Sequence, residues 1–249
     1  MSLVINTNVA SLNAQRSLSA SGAELKTAME RLSSGKQINS AADDAAGFAI
    51  AERMTAQIRG LNMAAKNAND GLSMLATIEN ATNDVTDMLH RMRELAVQAV
   101  NDTNSGTDRS YLNNEVQSLI SEINRVSSDT EYNGAAVLNG DLSAAAFQVG
   151  TESGQTITFS VASVDAETLF AGVSVGVDTA ENAESALSTI TTAIETVASN
   201  RATYGALQNR LEYTVSNLLN VAEFTTAARS RIEDADFAAE SARLAKAQV

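Results

Sequence analysis

Between residues 61 and 99, one set of positions returns every three or four residues: Leu61, Ala65, Ala68, Leu72, Leu75, Ile78, Thr82, Val85, Leu89, Met92, Ala96 and Ala99. Polar residues fill nearly all the gaps between them. That spacing predicts one stripe on a helix of roughly 40 residues, about 60 Å long at 1.5 Å per residue. Such a helix cannot bury its stripe against itself and needs a partner of similar length. A second stripe supplies one: Leu187, Ile190, Ile194, Val197, Tyr204, Leu211, Val215, Leu218, Ala222, Thr225 and Ile232. The core seam is placed on Leu72, Leu75, Leu89, Met92, Leu211 and Leu218. Two matching stripes from distant parts of the chain predict a mainly α fold. Its expected form is an elongated antiparallel helical bundle, or coiled-coil rod, with a small β-hairpin patch.

The remaining pattern orders the other elements. Residues 1–10, with Val4, Ile5 and Val9, read as an extended lead-in. A helix follows from about Ser11 on Leu12, Leu18, Leu25, Met29 and Leu32, and Gly35 suits its left-handed C-cap. Ser40 and Asp43 resemble a capping box, with Asp43 and Asp44 in the first turn of a helix starting near Ala42. That helix runs through Gly60 and Gly71, where close packing or a bend would offset the cost of glycine, about 1 kcal/mol each. The run 101–108 reads as a turn, and Leu112, Val116, Leu119, Ile123 and Val126 as a third helix folding back antiparallel. After Ser127, Asn133-Gly134, Asn139-Gly140, Gly150 and Gly154 punctuate short stretches. Phe147/Val149 and Ile157/Phe159/Val161 alternate as a hairpin, and Val173/Val175/Val177 could add a strand. Helix resumes near Thr179 and continues, with a break near Asp234-Ala-Asp236.

Composition narrows the function. The 249 residues include no proline, no tryptophan and no cysteine, with one histidine. Without proline, long helices stay unbroken. Alanine at the seams lets helices approach closely but buries little area, so stability should lean on assembly. A net charge of −13 disfavours nucleic acid and anionic membrane as partners. No apolar run is long enough to insert into a bilayer, and the first residues lack the pattern of a cleaved signal peptide. One histidine and no cysteine leave no basis for a metal site, a histidine acid–base pair or a cofactor.

Three local motifs have plainer readings. Gly172-Val-Ser174-Val-Gly176 has the form of a nucleophile elbow, but His90 precedes Ser174 in the chain, where the hydrolase order needs it after. His90 itself reads as a solvent-facing or interface residue. Arg91, Arg93 and Glu94 are open to two readings, a solvated face or part of a binding patch.

Several stretches together resemble bacterial flagellin. They are Leu3-Val-Ile-Asn-Thr-Asn8, Glu30-Arg-Leu-Ser-Ser-Gly35, Ile38-Asn-Ser-Ala-Ala-Asp-Asp-Ala-Ala-Gly47, Asn67-Ala-Asn-Asp-Gly71, Arg93-Glu-Leu-Ala-Val-Gln98, Asn217-Leu218 and Arg231-Ile-Glu-Asp-Ala-Asp-Phe237. The similarity covers 1–140 and 180–249 almost continuously. It implies a structural subunit, not an enzyme, that polymerises into a helical homopolymer, the extracellular bacterial flagellar filament used for motility. Residues 1–40 with 235–249 would be the N- and C-terminal helices of the inner filament core. Residues 41–234 would be the rod domain, with its β patch at about 138–177. The resemblance further implies type III export and contacts with a flagellar export chaperone and with cap and junction proteins. It also implies recognition by a vertebrate innate immune Toll-like receptor, with Arg91, Leu95 and Glu115 matching the receptor-contact positions. The family inserts outer variable domains near Val177 and continues past Lys246-Ala-Gln248 with a further amphipathic helix. This sequence matches a short form without either, as a fragment or a natural variant, and one expected to polymerise poorly alone. The alternatives are a hook–filament junction protein of the same superfamily and a non-flagellar coiled-coil signalling or binding protein.

Overall fold

The computed structural model describes residues 8–249. Of the expected lead-in, Val4 and Ile5 lie outside the described residues, and Val9 already opens a helix. Helix α1 (Val9–Ser34) starts there because Asn8 caps it, its side chain accepting from Ser11 N at 3.2 Å. It ends at Gly35, whose φ of 71° permits the left-handed turn in which its N–H donates to Arg31 O.

The Ser40–Asp43 pair does not cap a helix. Asp43 Oδ2 accepts from Asn39 N, Ser40 N and Ser40 Oγ at 2.9–3.1 Å, closing a turn of its own. Asp44 does the capping, taking Ala46 N and Gly47 N at 3.0 Å, and α2 (Ala45–Val100) begins one residue later with no acid in its first turn. Helix α3 (Gly106–Asp129) also starts earlier than its apolar pattern suggested. Ser105 and Asp108 form a reciprocal capping box, which shortens the turn expected at 101–108.

Two hairpins follow. Strands β1 (Glu131–Tyr132) and β2 (Ala135–Ala136) pair around Asn133 and Gly134, both at positive φ. Strands β3 (Ala145–Gln148) and β4 (Thr156–Phe159) pair antiparallel with Phe147 opposite Ile157. A short helix α4 (Ala166–Leu169), unforeseen in the pattern, is capped by Asp165. Val173, Val175 and Val177 form no strand. Side-chain amides of α3 hold that backbone instead, Gln117 donating to Val175 O at 2.8 Å and Asn113 accepting from Val177 N at 3.0 Å. Helix α5 (Ala180–Glu233) then runs to a break, and Asp236 caps α6 (Phe237–Gln248).

The chain divides into two compact units, Met63–Leu218 and Met1–Asn62 with Leu219–Val249. In the first, α3 runs antiparallel to α2: Arg109 Nε donates to Ala99 O at 2.8 Å, Arg91 meets Glu115, and Tyr132 beyond α3 donates to Asp70 O. Its core is the buried face of α2 (Leu75, Ile78, Val85, Leu89, Met92) packed with Val116 and Ile123 of α3 and Ile190, Val197 and Leu211 of α5. The alternating three- and four-residue spacing keeps these positions on one side. Thr82 sits fully buried in the stripe, satisfied by donating to Ile78 O at 2.8 Å. Leu218 is nearly buried and Leu72 only half-buried against the cluster. At Gly71 a Cβ would lie 2.9 Å from the Phe147 ring, which stacks on Phe159 at 5.1 Å, so glycine lets the hairpin sit directly on α2.

In the second unit, Lys36 and Asp234 form a β-bridge, Gln37 N donates to Glu233 O at 2.7 Å, and Ala235 N donates to Gly35 O at 2.9 Å. Arg229 donates to Thr55 at 3.0 Å, and Ile38 is buried. These contacts join residues 35–37 to 233–235 and Thr55 to Arg229 within this unit. The two compact units meet at 62/63 and 218/219, inside α2 and α5.

Candidate interaction surface

Arg91 on α2 and Glu115 on α3 come together because the two helices run antiparallel from a short capped turn. Arg91 Nε donates to Glu115 Oε1 at 2.9 Å, Nη2 lies 2.8 Å from the same oxygen, and Nη1 donates to Glu94 Oε2 at 3.1 Å. Hydrogen bonding to Glu115, then to Glu94, pushes the Arg91 guanidinium above its ordinary value, so it stays charged. Both members of the pair are about half exposed, which preorganises the charges without burying them.

Leu95 does not belong to this exposed face. It is 1% exposed, inside the core of the 63–218 unit, because the α2 stripe includes it between Met92 and Ala96. The apolar side chain offered at the surface is Val97, 54% exposed, which lines a shallow depression of about 400 Å³ with His90, Arg93 and Glu94. Its signal in the sequence was its position off the stripe, flanked by Ala96 and Gln98.

The other candidates place simply. Ser174 lies exposed on an irregular segment and His90 exposed on α2, and no strand-to-helix elbow forms around Ser174. Among the described residues there is no group of three ligands that could hold a metal, and no helix is long and apolar enough to cross a membrane.

A second surface lies on the end helices. Val9, Leu12, Leu18 and Met29 of α1 and Phe237 of α6 are each more than half exposed. Helix α6 is held on α1 by a contact the hydrophobic pattern could not reveal. Glu240, 4% exposed, lies 3.1 Å from Arg31 Nη1 and 2.7 Å from Arg243 Nη1. A carboxylate so buried is tolerated only when paired in this way.

Comparison with known proteins agrees with this architecture. Residues 5–143 match the bacterial flagellin N-terminal helical region, and 187–249 match the bacterial flagellin C-terminal helical region. The chain is 42% identical to a flagellin of Halalkalibacterium halodurans, over 96% of this chain and 88% of that one. It is 33% identical to flagellin A of Vibrio cholerae, over 100% of this chain and 94% of the relative. The flagellin crystal structure from Bacillus cereus superposes with a TM-score of 0.55 at 29% identity, covering 61% of this chain and 88% of that one. A putative flagellar hook-associated protein from Vibrio parahaemolyticus shares the fold alone, with a TM-score of 0.67 at 14% identity over 77% of this chain and 100% of that one. The chain belongs to the bacterial flagellin family and is a self-polymerising structural subunit of the extracellular flagellar filament, not an enzyme.

Proposed function

We propose that, beyond its structural role, the protein is read by a vertebrate Toll-like receptor through the α2–α3 face carrying Arg91 and Glu115. The supporting observation is the arginine held half exposed between two carboxylates, Glu94 and Glu115. Arginine in a fixed geometry at a patch centre is a frequent hot spot, and an exposed ion pair gives up little when a partner replaces one of its bonds. Leu95 acts through this face only indirectly, by fixing the α2–α3 packing from below. Arg91→Ala is expected to weaken receptor binding about tenfold or more with helicity unchanged by circular dichroism. Wild-type receptor activation by that variant would remove Arg91 from the contact.

The same reading assigns the exposed apolar positions of α1 and α6 to the assembly interface between subunits. Before assembly, a flagellar export chaperone would cover apolar surface of this kind, and cap and junction proteins would meet the subunit at the filament ends. Sedimentation across a concentration series under polymerising salt tests the assembly face, with Leu18→Asp expected to need a higher concentration than the unaltered chain before it pellets. Equal pelleting would exclude that face.

A further inference from the structure

Four asparagines precede a glycine or serine: Asn39, Asn104, Asn133 and Asn139. A small following residue leaves the next backbone nitrogen open to approach the carboxamide carbon. Three of the four carboxamides are held. Asn39 Nδ2 donates to Lys36 O at 3.2 Å, and Asn104 Nδ2 donates to Gln98 O at 2.6 Å and Asn101 O at 3.2 Å. Asn139 is pinned at both ends, Nδ2 donating to Asp141 Oδ2 at 2.5 Å and Oδ1 accepting from Asp141 N at 3.1 Å.

Asn133 differs. It is exposed, at φ 52°, and with Gly134 at φ 78° it forms the two-residue tip of the β1–β2 hairpin. Among the described residues neither its carboxamide nor the Gly134 N–H has a hydrogen-bond partner. The hairpin has only two residues per strand, too short to be stable alone, so its tip opens readily.

We propose that Asn133–Gly134 is a site of spontaneous deamidation and isoaspartate formation, while Asn139–Gly140 is protected by Asp141. The Gly134 nitrogen loses its proton to hydroxide and attacks Asn133 Cγ. The Cγ–Nδ2 bond breaks, Nδ2 takes a proton from water and leaves as ammonia, returning the hydroxide, and a succinimide is left closed. Water then adds to one of the two succinimide carbonyls and the bond from that carbon to the Gly134 nitrogen breaks, giving aspartate from Cγ or isoaspartate from the main-chain carbonyl, with no change of oxidation state at any atom. Either product adds a negative charge two residues from Glu131. Isoaspartate also lengthens the backbone by one carbon, so Tyr132 and Ala135 lose their pairing at the tip. That loosening acts on the Tyr132 hydroxyl, which donates to Asp70 O on α2 at 3.2 Å.

The test holds the full chain in mildly alkaline buffer and follows each asparagine by peptide mass spectrometry, with isoaspartyl methylation to identify the product. Asn133 is expected to convert about tenfold or more faster than Asn139, the factor that one or two retained hydrogen bonds impose. Asp141→Ala, which frees the Asn139 carboxamide, should raise conversion at Asn139 toward that of Asn133. Asn133→Gln should remove the isoaspartate signal from its peptide. Equal rates at Asn133 and Asn139 in the unaltered folded chain would overturn the proposal. So would an Asn133 that stays intact when folded yet converts in denaturant.

Discussion

Leu89 has no exposed surface and contributes to the core of the 63–218 unit. Leu89→Ala is expected to cost about 2–5 kcal/mol, read as a lower denaturant midpoint at unchanged slope. Gly71→Ala sets two effects against each other. Alanine favours the helix by about 1 kcal/mol, but its Cβ would meet the Phe147 ring at 2.9 Å, and that ring is braced by Phe159. The clash should win, giving a net loss of about 1–3 kcal/mol. The variant with Phe147→Leu as well should recover part of it in thermal melts. At this scale the stripe was legible because burial follows period. Leu95 shows where legibility ended: the resemblance set it beside Arg91 as a receptor contact, but only the packed position of α3 decides which of the two side chains is enclosed.

Elements were readable where one residue type does a local job, as Gly35 and Asp236 do at helix ends. The misplaced start of α2 has the same origin. Ser40, Asp43 and Asp44 offer two competing sets of acceptors within five residues, and only geometry chooses between them. The Val173–Val177 segment alternates like a strand, but its hydrogen bonds go to α3 amides, a long-range choice that no local pattern encodes. Two of these local carboxylates carry a pH dependence. Backbone N–H groups and the Ser40 hydroxyl hold Asp43 below its ordinary 3.8, and the Ser105 hydroxyl and N–H do the same for Asp108. Both folded values are depressed. Their stabilisation is therefore complete above about pH 3.8 and lost as pH falls through the lower folded values. Acidification through that window should lower the protection of the Ser40 and Ser105 amides, relative to their intrinsic exchange rates, before it affects the buried turns of α2. Glu240→Ala, which leaves the partly buried Arg31 without its carboxylate, should cost about 1–3 kcal/mol of α6 docking. The readout is limited proteolysis, in which cleavage after Arg243 is expected to appear first.

For the whole molecule, sequence pattern indicated the helical class but not where compactness changes. The boundaries at 62/63 and 218/219 fall inside α2 and α5, where the helical pattern runs on without a break. Protease should trim the unassembled chain from both ends, sparing Leu72 to Ala99, and polymerisation should protect α1 and α6 in turn. Equal resistance of ends and core in the monomer would contradict an assembly role for the exposed α1 face. The alanines of the buried seams have one more consequence. Ala64, Ala65, Ala68, Ala96, Ala99, Ala183, Ala186 and Ala193 are buried without much apolar area to expose on melting. Since newly hydrated apolar surface is what raises the heat capacity of an unfolded chain, this protein's increment per residue should fall below the usual 12–15 cal/mol/K or so. Its stability curve would then be broad and shallow, with free energy changing little between cold water and a warm host. Calorimetry across a pH series, from the slope of unfolding enthalpy against melting temperature, measures that increment directly.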